Sequence, residues 1–158
     1  MSNKVLAVVG LITGAIAGGL YAYHKDEEKY EKMRIQADRN MAMYRLMNEW
    51  IKVKQEGGDI GRYLIDNGYR HIAIYGMGYI GEILLGELKN SEVEVLYAID
   101  KGASDKDMGI KVVSPEGELH LVDAIIVTPF NAYETIEEAL SQRVDCPILS
   151  IDDVIFDM

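Results

Sequence analysis

From residue 71 onward, short apolar runs alternate with stretches of helical periodicity. His71-Ile72-Ala73-Ile74-Tyr75 reads as a strand, 79–90 as a helix, and Val93-Glu94-Val95-Leu96-Tyr97-Ala98-Ile99 as a second strand. A loop through Ser104-Asp105-Lys106-Asp107 follows, then a short strand at Ile110–Val113, a strand at Ala124–Thr128, a helix over 132–142 and a strand at Pro147–Ile151. Strands that alternate with helices predict a parallel sheet covered on both faces. The nearly continuous apolar run Val122-Asp123-Ala124-Ile125-Ile126-Val127 agrees, because a strand buried on both sides has no polar face to alternate with.

Upstream the pattern changes twice. Val5 to Tyr23 carries no charge, and as a helix it approaches the roughly 30 Å of a bilayer core. This predicts a membrane span. A secretory signal peptide is the competing reading, with Lys4 as its positive start and Ala15-Ile16-Ala17 as its cleavage motif; the apolar run continues past that motif, which favours the span. Lys25, Lys29, Lys32 and Arg34 follow the run while only Lys4 precedes it, so the positive-inside rule places the C-terminal bulk in the cytoplasm of a single-pass cell-membrane protein. Gly10, Gly14 and Gly18 share one helix face and permit close helix pairing, hence a homo-oligomer; small residues are also common in single spans without pairing.

Residues 25 to about 55 lack proline and glycine, and Tyr30, Met33, Ala37, Met41, Tyr44, Met47 and Ile51 recur at helical spacing. A long amphipathic helix is predicted. Its second half adds Met43, Leu46, Trp50 and Val53, a broader arc that packs on the globular part or on a partner, whereas the first half reads as a stalk. Gly57-Gly58 ends the helix, and Asp59 caps a short one from Ile60 to about Asp66 that stops at Asn67-Gly68. The predicted organisation is an anchor over 1–24, a helical stalk over 25–57 and an α/β domain over 58–158.

Charge narrows the function classes. The formal net charge is −10, and residues 70–158 hold 17 acids against 6 bases, while 24–69 hold 9 of each. No basic face is available to neutralise phosphates, which excludes nucleic acid as a partner. The lone Cys146 excludes an internal disulfide.

The candidate chemistry lies at Gly76-Met77-Gly78-Tyr79-Ile80-Gly81, between the first strand and the following helix. In a G-x-G-x-x-G turn the glycines allow a tight turn, close approach of backbone to a pyrophosphate, and close packing of helix on strand. The amides of Gly78 to Ile80 then face a phosphate at the positive end of the helix. The second strand ends on Asp100, 19 residues after Gly81, where an acid accepts hydrogen bonds from a ribose diol and repels a 2′-phosphate; Lys101 beside it offers a charge to a phosphate instead. Thr128 and Phe130 complete the expected site, as a hydroxyl and as a cover for a base or sugar, or else as structural residues. Asn131 with Glu134 reads as a helix N-cap with its capping box. The whole loop also has a structural reading, as a turn that packs a helix on a sheet and binds nothing.

No catalytic residue emerges. Tyr21 and Lys25 match a Tyr-x-x-x-Lys spacing only by chance beside the predicted span, and His24, His71 and His120 have no partner at metal-ligand spacing. Cys146 before Pro147 reads as a buried small residue, and no metal site is predicted.

The stretch from about Asp59 onward resembles the Rossmann-like nucleotide-binding domains of bacterial surface-polysaccharide biosynthesis proteins. The matching pieces are Ile72 to Gly81, Tyr97 to Lys101, Gly109 to Val113, Val122 to Thr128 and Cys146 to Val154, with Leu46 to Gly57 similar to the lead-in of small stand-alone versions. The resemblance implies a Rossmann-like α/β fold and nucleotide contacts from Gly76, Gly78, Gly81 and Asp100, with NAD or a nucleotide-sugar as ligand. No catalytic module follows these residues, so a sensor or adaptor is expected rather than an enzyme. The alternatives are a small NAD-dependent enzyme acting on a nucleotide-sugar, and an oligomerising membrane protein whose loop is vestigial.

Overall fold

The computed structural model describes the backbone of residues 3–102 and 109–158 and the side chains of 23–102 and 109–158. The predicted span over 5–23, with Gly10, Gly14 and Gly18, therefore lies outside the described side chains except for Tyr23, and the loop at 104–107 lies outside the described residues. Among the described residues no helix is long and apolar enough to cross a membrane.

Two units divide the chain, Met1–Tyr44 and Arg45–Met158. The first consists of helix α1 (Asn3–Gln55) up to Tyr44, and its described side chains from Tyr23 to Tyr44 are exposed apart from the half-buried Ala42. The remaining turns of α1 belong to the second unit. Of the four residues that broaden the apolar arc, Leu46, Trp50 and Val53 are buried there, whereas Met43, in the first unit, is exposed. Trp50 donates its indole N–H to Glu87 at 2.8 Å, and Lys54 reaches the other oxygen of the same carboxylate at 2.9 Å.

The second unit continues with α2 (Ile60–Asp66), β1 (His71–Tyr75), α3 (Tyr79–Leu88), β2 (Glu94–Ile99), β3 (Val112–Val113), β4 (Ala124–Val127), a 3₁₀ turn (Phe130–Ala132), α4 (Tyr133–Ser141), β5 (Ile148–Ser150) and α5 (Ile151–Phe156). Asp59 caps α2 by accepting the N–H of Arg62 at 2.9 Å. All four strand pairings are parallel, in the order β3-β2-β1-β4-β5. The order reverses between β1 and β4.

Side-chain alternation along β1 splits the core. Ile72 and Ile74, with Ala98, Ala124 and Ile126, face the layer formed by α2, α3, α5 and the end of α1. Ala73, with Tyr97, Ile99 and Ile125, faces α4 and the extended segment through Leu119 and Val122. One irregularity makes this partition work. The β1–β2 register shifts between Ile72 and Ala73, which pair with Val95 and Tyr97 and leave Leu96 as an extra residue. A one-residue slip reverses facing, so Val95 packs on one layer and Tyr97 on the other despite their spacing of two.

Several boundaries depart from the sequence reading. The short third strand shrinks to two residues, and β4 stops at Val127 because Thr128 turns its hydroxyl back onto the loop after β1. The capping box at Asn131 and Glu134 does not form: Ala132 is the N-cap of α4 and no side chain caps it, since the 3₁₀ turn takes up Asn131. Helix α5 is an addition, held by burial of Ile151, Val154 and Ile155.

At the opposite end of the sheet, Asp123 accepts the backbone N–H groups of His71 at 2.7 Å and Arg70 at 3.0 Å. The bond from His71 most of all, then the bond from Arg70 and the nearby His71 ring, hold its carboxyl below the ordinary range against the opposing effect of burial. Asp123→Ala is expected to lose about 1–2 kcal/mol at pH 7, read as a lower urea midpoint. A depressed folded pKa adds stability that is complete above the unfolded carboxylate pKa and is lost as pH falls through the folded value. The difference between wild type and variant should therefore narrow as pH falls below the ordinary aspartate value of about 3.9.

Candidate functional site

The carboxyl ends of β1 and β4 meet where the strand order reverses, and the glycine loop leaves from the first of them. Gly76 has φ +90, a conformation in the region that favours glycine. A Cβ there would also lie 2.6 Å from the ring of Pro129 and 3.0 Å from the Thr128 hydroxyl. Gly81 is needed for a different reason. Its absent Cβ would sit 2.1 Å from the Gly76 carbonyl oxygen, so α3 can lie this close to β1 only without a side chain.

Gly78 differs from both. It is the N-cap of α3 with φ −77, no side chain caps the helix there, and a Cβ would meet nothing within 4 Å. Neither backbone strain nor packing requires glycine at this position. What its missing side chain leaves open is the approach to the first turn of α3, whose amides have no intrahelical acceptor. Tyr79 beside it is 82% exposed, whereas Met77 and Ile80 turn into the core.

Asp100 does more than end β2. One carboxylate oxygen accepts the N–H of Met77 at 2.6 Å and the other accepts the N–H of Gly102 at 2.8 Å. The acid thus fastens the glycine loop to the end of β2, and since a carboxylate offers about four acceptor positions, its two bonds from the described residues do not fill it. Lys101 is exposed. Its charge contributes at Glu116, whose carboxyl is held low chiefly by the Ser114 hydroxyl.

Thr128 is buried, and its hydroxyl donates to the carbonyl of Gly76 at 2.6 Å, with the Tyr75 carbonyl at 3.2 Å. Phe130 is half-buried against the larger core layer. Sequence reasoning left structure and function open for both residues; the structure shows a hydroxyl committed to the loop's backbone and a ring partly committed to the core. Among the described residues no buried side-chain nitrogen or oxygen lacks a hydrogen-bond partner.

The reading of the sequence did not single out a second feature of this edge. A cavity of about 340 Å³ lies between the β4–α4 and β5–α5 connections, lined by Phe130 to Thr135 together with Ser150, Asp152 and Asp153. Tyr133 lines one wall, and its hydroxyl lies 2.8 Å from both the Glu137 carboxylate and the Ile148 carbonyl, its one proton shared between the two acceptors. Burial, then the Glu137 hydrogen bond and nearby carboxylates, push its hydroxyl up to about 12. Asp153 is also raised, by burial and then by the charges of Asp152, Asp157 and Glu137. The acids are scattered between 134 and 157, so only folding reveals them as neighbours.

The other chemistry-bearing residues lie apart from the loop's contacts. His120 stacks edge-on against Tyr97 and sits 2.9 Å from the Lys111 ammonium. The Cys146 thiol is raised by burial, which disfavours a nucleophilic thiolate. Among the described residues no group of three His, Cys, Asp or Glu side chains is placed to hold a metal ion.

Residues 68–147, half of the 158-residue chain, match a family model described as C2185-like, N-terminal. The chain belongs to the C2185-like N-terminal family. The matched stretch contains β1 to β4 and α4, and with them the glycine loop, Asp100, Thr128 and Phe130. No curated protein and no solved structure matches the chain.

The two later glycines of the loop should separate by stability. Gly81→Ala forces a methyl group onto the backbone and is expected to cost at least about 2 kcal/mol. Gly78→Ala meets open space at an ordinary φ, loses only the N-cap preference of glycine over alanine, and should cost no more than about 1 kcal/mol. Thermal unfolding followed by circular dichroism reads both.

Proposed function

We propose that this C2185-like chain is a nucleotide-binding module whose glycine loop takes the diphosphate of NAD or a nucleotide-sugar. One observation carries the reading: a G-x-G-x-x-G turn stands at the reversal point of a parallel sheet ordered 3-2-1-4-5, the position at which doubly wound folds place a dinucleotide. Gly78 supports it, because neither its φ nor its packing demands glycine and the missing side chain keeps the amide end of α3 open to a phosphate. Asp100 holds the loop in shape and keeps acceptor capacity for a ribose diol.

In this reading the module is anchored to the cell membrane through residues 5–23, faces the cytoplasm, and serves surface-polysaccharide assembly as a sensor or adaptor. Support for the anchor is the uncharged run and its flanking lysines. Binding rather than turnover is favoured because Thr128, the hydroxyl nearest the loop, already donates to the Gly76 carbonyl.

Calorimetric titration of the full-length chain in mild detergent with NAD, UDP-glucose and coenzyme A provides the test. Binding is expected for NAD or UDP-glucose. Gly78→Asp should abolish it, since a carboxylate placed at the N-cap repels phosphate, yet the variant should be at least as stable, because aspartate at an N-cap is favoured over glycine by roughly a few tenths of a kcal/mol. No heat with any of the three ligands would remove the proposal.

A further inference from the structure

The strand order leaves one part of the sheet without its helix. β3 lies beyond β2 on the side away from β1, so a right-handed crossover from β2 to β3 runs over the face that already carries α3. Among the described residues no helix occupies that crossover. A groove of about 570 Å³ lies there instead, with the half-buried Leu85 of α3, Val95 of β2 and Ile110 ahead of β3 as apolar walls. Its place and its walls suit the apolar face of a helix.

Gly86 points the same way. It lines the groove two residues before α3 ends, its φ lies outside the left-handed region, and a Cβ there would meet nothing within 4 Å. A glycine inside a helix weakens that helix relative to alanine, and neither the conformation nor the packing of α3 asks for one here. A helix laid in the groove does ask for one, because a missing side chain lets two elements approach more closely.

The chain itself carries a helix that fits. Of the fourteen exposed large hydrophobic side chains among the described residues, eight lie on α1. Tyr30, Met33, Ala37, Met41 and Tyr44 follow at helical spacing along one face, and all five are exposed. Charge agrees with this match. Glu82 and Glu94 place two carboxylates at the groove against the single ammonium of Lys89, whereas Lys29 and Arg34 flank the apolar stripe.

We infer that the groove takes the stalk helix of a second copy of this chain, with the Tyr30 to Tyr44 face laid over Gly86. The contact joins two different surfaces, and so differs from a pairing of like helix faces at Gly10, Gly14 and Gly18. It does not depend on what the glycine loop binds.

Disulfide trapping between full-length chains in mild detergent, all carrying Cys146→Ala, reads the contact directly. One chain carries Met33→Cys and the other, made larger by a tag, carries Gly86→Cys, so a product joining the two sizes is intermolecular. Oxidation should link this pair at least tenfold faster than Met33→Cys with Leu121→Cys, a cysteine at another exposed position. Adding Tyr30→Glu and Met41→Glu, two exposed positions, to the Met33→Cys chain should lower the rate to that of the Leu121→Cys pair and leave the thermal midpoint unchanged. Equal rates at the two domain positions, a rate unmoved by the glutamates, or products formed mainly between two Met33→Cys chains, as stalks lying side by side would give, would overturn the inference.

Discussion

The peptide group at Gly76 is the constraint on which the rest of the structure turns. Its N–H donates to the Ile99 carbonyl at 2.8 Å and so joins the end of β1 to the end of β2. Its carbonyl accepts the Thr128 hydroxyl from the end of β4, and the same oxygen marks how near α3 can come, since Gly81 leaves no room there for a methyl group. Three strands and one helix thus converge on a single residue. That residue also has to carry φ +90, so the geometry that closes the sheet's central crossing is available almost only to glycine.

Given that pivot, the open position falls one turn further on. Packing consumes Gly76 and Gly81, but Gly78 is left facing outward over the first turn of α3. Asp100 holds Met77, the residue between, by its backbone. The loop is therefore preorganised, its backbone fixed by the same contacts that stabilise the domain. Preorganisation of this kind lowers the entropic cost of binding. Asp100 and Thr128, expected to serve ligand chemistry, have structural duties for a related reason: in a domain this small, the side chains at the strand ends are also those that hold the ends together.

The two faces of the sheet are unequally covered. Four helical segments pack on one side, whereas α4 and an extended segment serve the other. Trp50 and Lys54, gripping Glu87, tie the last turns of α1 to α3, which starts at the glycine loop. Among the described residues, no helix joins β2 to β3 or β3 to β4, and β3 correspondingly makes only two pairings.

Much of this was legible in the residues themselves. Apolar runs located β1, β2, β4 and β5 within a residue or two, because a strand buried on both faces must be apolar throughout; Asp59 marked a helix start, because its side chain bonds the next turn locally. The glycine spacing marked the tight turn from β1 into α3 for the same reason, as steric demands on backbone act over a few residues. Contacts between distant segments were not legible. The extra residue at Leu96 reverses the facing of Tyr97 only because β1 pairs alongside it. Thr128 is a strap because Gly76 lies opposite, Asn131 is not a cap because a 3₁₀ turn precedes α4, and α5 is a helix because the core accepts Ile151, Val154 and Ile155. Local sterics and periodicity are written in the chain, whereas the direction in which a hydroxyl or carboxylate is spent depends on which strand folds beside it.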